Sequence, residues 1–135
     1  MIELSKEKPY EDACKILGLR PVANYKSYKL TDETRNFIKL ETVAKALNEG
    51  WKPTTIDPKE VRYYVWGWNY TDNRKPSGLL GVNSDDGLGL AAALVGSSLE
   101  FKDRDTAKEF ARMCKPMIVK YLFGRDDHEN FKFDF

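Results

Sequence analysis

The side chains best equipped for chemistry lie in one run, Val61–Tyr70, which reads Val-Arg-Tyr-Tyr-Val-Trp-Gly-Trp-Asn-Tyr. Its aromatic and β-branched content predicts a central strand. Strand alternation then puts Tyr64, Trp66, Trp68 and Tyr70 on one face, and Val61, Tyr63, Val65 and Gly67 on the other. Aromatic rings on an open sheet stack on bases or sugars, and Arg62, Arg74 and Lys75 are placed to neutralise a phosphate backbone. The plainer reading makes Tyr64, Trp66 and Trp68 a core beneath a helix. Charge favours the plainer reading: Lys and Arg number 22 against 21 for Asp and Glu, a net charge of +1, so no strong electrostatic footprint for nucleic acid is present.

Other constellations hold the right atoms in weaker arrangements. Asp126-Asp127-His128-Glu129 contains metal-ligating groups and the one histidine of the chain, but side chains adjacent in a polar tail seldom converge on one ion. Asn83-Ser84-Asp85-Asp86-Gly87 has the oxygens and the glycine of a calcium loop without its distal bidentate glutamate, and reads as a hairpin turn. Gly78, Gly81, Gly87 and Gly89 are followed by no Gly-Lys-Ser/Thr, so turns and a bulge account for them better than a phosphate loop. Cys14 and Cys114 lie far apart, each on the apolar side of an expected helix, and read as buried reduced thiols. No serine or cysteine has a plausible histidine-based partner, so the common nucleophilic triads are set aside. No catalytic residue, metal or cofactor is assigned.

The elements that must carry these residues are legible from caps and periodicity. A short helix over Tyr10–Leu17 begins after Pro9 and ends at Gly18. Arg20–Leu30 reads as a connection. A second helix runs from Thr31 as N-cap to Asn48 or Glu49, burying Phe37, Leu40, Val43, Ala44 and Leu47, with Gly50 left-handed and Trp51 folding back on the last turn. After a Pro-rich loop and the aromatic strand, turn formers at Thr71–Gly78 lead to a strand near Leu79–Asn83. Leu88–Val95 is apolar and short and is assigned to a buried strand against its helix-favouring alanines. Ser98–Lys102 alternates as a strand with Leu99 and Phe101 inward, and Asp103 caps a long helix reaching Phe123, kinked or broken near Arg112–Lys115 by Pro116. In that helix Ala107, Phe110, Ala111, Cys114, Ile118, Tyr121 and Leu122 form the inward stripe. In the tail, Phe131, Phe133 and Phe135 alternate with Lys132 and Asp134, the pattern of a short edge strand that docks on its own sheet or on a neighbour.

Tyr10-Glu11-Asp12-Ala13, the run Ala46-Leu47-Asn48-Glu49-Gly50-Trp51-Lys52-Pro53, Tyr63-Tyr64, and Val95-Gly96-Ser97 with Leu99, Phe101 and Lys102 together resemble a family of small uncharacterised proteins from gut Bacteroidetes and their phages. The resemblance extends to about Phe123, and its most specific part is Leu-Asn-Glu-Gly-Trp-Lys-Pro. It implies a phage or mobile-element accessory setting and supplies no catalytic residue. Relatives often place an arginine where this chain has Ser98, and a proline where it has Val65, so a role for that arginine would not carry over.

These readings combine into an α+β domain over residues 1–124, with an antiparallel sheet of three to four strands against two main helices and a short N-terminal helix, and a tail over 125–135. The expected function is that of a non-enzymatic interaction module with an unknown protein partner or a second copy of itself. Nucleic-acid binding through the aromatic face is the alternative, and a small hydrolase comes third. No apolar run reaches the length of a membrane span, and the amino terminus lacks the pattern of a secretory signal, so a cytoplasmic location is expected.

Overall fold

Helix boundaries follow the capping residues. The computed structural model describes residues 2–21, 30–52, 60–70, 77–85 and 99–135. Helix α1 (Pro9–Leu17) starts on its proline and ends at Gly18, whose backbone is left-handed. Helix α2 (Asp32–Leu47) is capped by Thr31, whose hydroxyl accepts from the Thr34 amide at 3.1 Å. Past Asn48 the left-handed turn begins one residue earlier than expected, at Glu49 (φ 50°), and continues through Gly50 (φ 89°). Leu40, Val43, Ala44 and Leu47 are buried, while Phe37 is half-buried and packs against Tyr121 with ring centroids 5.6 Å apart.

The expected long C-terminal helix is two helices. Helix α3 (Arg104–Met113) is capped by Asp103, whose carboxylate accepts from the Thr106 amide at 2.8 Å, and helix α4 (Lys115–Phe123) restarts after Cys114 with Pro116 in its first turn. A proline there lacks an amide that has no helical partner anyway, so the break falls where it costs least.

Strands β1 (Arg62–Tyr70) and β2 (Ser77–Asp85) pair antiparallel, with Trp66 opposite Gly81. Strand β3 (Phe131–Phe133) pairs with β2 in parallel, Phe131 opposite Gly78. The sheet is therefore mixed, in the order β1-β2-β3, and β2 rather than β1 is central among the described strands. The purely antiparallel sheet expected from the sequence is corrected by the connection: among the described residues, α3 and α4 lie between β2 and β3, long enough to bring the chain back to the start of β2 and run alongside it. The expected strand at Ser98–Lys102 is reduced, in its described part, to one bridge, in which Tyr63 and Phe101 exchange amide-to-carbonyl bonds of 2.9 and 2.8 Å. Leu88–Val95 lies outside the described residues, as does most of the loop before β1.

The core lies between the helices and one face of the sheet. Leu80, Phe101 and Phe131 are fully buried there with Leu40, Val43, Phe110, Ile118 and Val119. Among the described residues no helix is long and apolar enough to cross a membrane.

Candidate functional site: the outward face of the aromatic strand

Because β1 is regular and its partner is in register, Tyr64, Trp66 and Trp68 share one side of the sheet with Asn83, Gly81 and Leu79. The opposite side of β1, with Tyr63, Val65 and Gly67, packs toward the helices. Trp66 lies flat across Gly81: a Cβ built on that glycine would sit 2.5 Å from the indole, so only glycine admits the ring. This holds Trp66 half-buried and fixes its plane. Trp68 is 59% exposed, the most exposed of the large apolar side chains in the described structure. Tyr64 is half-buried and Asn83 exposed.

Arg62 occupies the same alternation at the start of β1, and its situation is different. It is 5% exposed, and its Nη1 donates to Glu100 Oε2 at 3.1 Å, with Glu60 3.8 Å from its Nε. Glu100 is 1% exposed, and its carbonyl accepts from Asn48 Nδ2 at 3.0 Å. One buried pair thus joins the start of β1, the segment before α3 and the end of α2. Burial pushes the Glu100 carboxyl above its ordinary value, while the hydrogen bond and charge of Arg62 pull it down less strongly. A carboxyl raised by burial beside a guanidinium resembles a catalytic acid, but this one is sealed from solvent and acts as an internal tie. The expectation that Arg62 neutralises a phosphate backbone is corrected accordingly: its charge is committed to Glu100. Arg74 and Lys75 lie outside the described residues.

The tail residues do not join this face. Phe131 is fully buried, stacked on Phe123 at 5.3 Å, with the Arg125 guanidinium 4.9 Å from its centroid. Phe133 is half-buried, and Phe135, 38% exposed, stacks on it at 5.0 Å beneath Lys108 and Arg112. The acidic run of the tail is also committed: Asp127 is gripped by the Arg125 guanidinium and by Asn130 Nδ2 at 2.9 Å, which hold its carboxyl well below the usual carboxylate range. Among the described residues no three His, Cys, Asp or Glu side chains converge as a metal site. Cys14 and Cys114 are buried free thiols, and burial pushes the Cys114 thiol up to about 12, so it stays protonated.

Glu100 and Asn48 escaped the sequence reading. Alternation between the inward Leu99 and Phe101 turns Glu100 outward, and an ion pair between residues 38 apart leaves no local signature. No family model matches the chain, and no curated protein or solved structure is similar enough to match it.

Proposed function

We propose that this protein is a non-enzymatic interaction module whose contact surface is the outward face of β1, with Trp68 as its projecting anchor. The observation that carries the reading is the contrast within one strand: Trp66 is seated on Gly81, whereas Trp68, two residues on, is 59% exposed on the same side. A large indole in water is costly to maintain for folding alone, and aromatic anchors of this kind dominate the energetics of protein interfaces. The partner is another protein or a second copy of the chain. A phage or mobile-element accessory setting rests on the resemblance of the Leu-Asn-Glu-Gly-Trp-Lys-Pro run.

The test compares wild type with Trp68→Ala by sedimentation velocity and by quantitative cross-linked capture from the native host. Loss of self-association, or of a captured protein that an exposed-helix variant such as Glu41→Gln retains, supports the reading. Identical sedimentation and identical capture would end it. A second reading, single-stranded nucleic acid stacking on Tyr64, Trp66 and Trp68, is favoured by the same exposed indole and weakened by the burial of Arg62. Salt-sensitive gel shifts that Trp68→Ala abolishes would support it, and none at low salt would exclude it.

A further inference from the structure

Behind the aromatic face, on the helix side of β1, the described residues line a half-open apolar cleft of about 300 Å³. Its floor is formed by Leu40, Leu99, Phe110 and Ile118, all buried, and Val65 of β1 makes one wall. Tyr121 and Leu122 stand at its mouth, 40% and 41% exposed. These two were expected on the inward stripe of the C-terminal helix. Adjacent helical residues point about 100° apart, and the restart of the helix at Lys115 leaves both at the edge of the core rather than in it.

We infer that this pocket is a binding site for a small, neutral, apolar molecule, aromatic or aliphatic, of up to roughly a dozen carbon atoms. Size sets the upper limit. A buried apolar cavity of about 150 Å³ admits benzene, and ligand sites in proteins begin near 300 Å³. Charge sets the class. No described lining side chain is ionisable near neutral pH, so a charged ligand would shed its hydration without a partner in return. Among the described lining residues, the Tyr121 hydroxyl is the one side-chain polar group, which suits a molecule with at most one hydrogen-bonding group at its outer end. The site is distinct from the outward face of β1, because Val65 and Trp68 project to opposite sides of the sheet.

The probe is 1-naphthylamine, a ten-carbon fluorophore that is neutral at pH 7 and brightens in apolar surroundings, with naphthalene as competitor. Wild type should bind it saturably at one site per chain, with naphthalene displacing it and chemical-shift changes centred on Val65, Leu99 and Ile118. Val65→Phe, which puts a ring into the pocket from its half-buried wall, should weaken binding at least tenfold. Leu122→Ala, at the exposed mouth, should alter affinity without unfolding the chain, and circular dichroism on both variants establishes that they fold. If folded Val65→Phe binds the probe as wild type does, or if wild type takes up none because the chain fills the pocket itself, the assignment is wrong.

Discussion

On one face of β1, Val65 and Gly67 lie against the helices, close enough that a Cβ on Gly67 would meet Phe123 at 2.8 Å. On the other face, Trp66 is pinned to Gly81 and Trp68 is 59% exposed. The two sides are built from similar residue types, and their difference lies in what covers them. Composition tells which residues are fit for a sheet, and only packing partners tell which side becomes core.

The contrast breaks most easily on the helix-covered side. Phe131 fills the space over Gly78, where a Cβ would sit 2.2 Å from its ring. Phe131→Ala should cost about 3–5 kcal/mol in urea melts, and removing Asn130–Phe135 should lower the melting temperature comparably. A neutral outcome would mean that β3 is not part of the folded sheet.

The next effect lies at the buried end of the outward face. Arg62→Met removes the partner of a sealed carboxylate and should cost about 3 kcal/mol, whereas Arg62→Met with Glu100→Leu should recover most of that loss. Equal melts for the single and double variants would show that the pair is solvated. The raised carboxyl of Glu100 fixes the sign of a pH effect: its contribution is fully present below its ordinary value of 4.5 and is lost as pH rises through the raised folded value. Glu100→Gln should therefore match wild type near that lower limit and gain on it as pH increases, which melts across a pH series would show.

Smaller still is the turn after α2. Glu49 holds a left-handed backbone that glycine adopts without strain, so Glu49→Gly should stabilise by about 0.5–1 kcal/mol. Destabilisation would indicate that the Glu49 side chain makes a contact that outweighs the strain.

What was legible in the sequence was local. Thr31, Asp103, Gly18 and Gly124 mark helix ends because capping is decided within a few residues. The alternation in Val61–Tyr70 placed Tyr64, Trp66 and Trp68 on one face and Tyr63 and Val65 on the other, as strand geometry with its fixed period requires. The direction of β3, the reduction of Phe101 to a single bridge and the burial of Glu100 depend on contacts distant in sequence, which no local pattern encodes. The candidate surface was half legible: Tyr64, Trp66 and Trp68 were picked out, but whether they were core or surface turned on Gly81 and on Arg62 being paired elsewhere.

The central claim is that Trp68, 59% exposed, contributes less to folding than Trp66. Urea melts of Trp66→Ala and Trp68→Ala measured side by side test it most directly. Trp66→Ala should lose roughly 2–3 kcal/mol, since its ring is seated on the sheet, and Trp68→Ala about 1 kcal/mol or less. Equal losses for the two would contradict the account, because Trp68 would then be a structural side chain and the outward face of β1 would have no anchor to offer a partner.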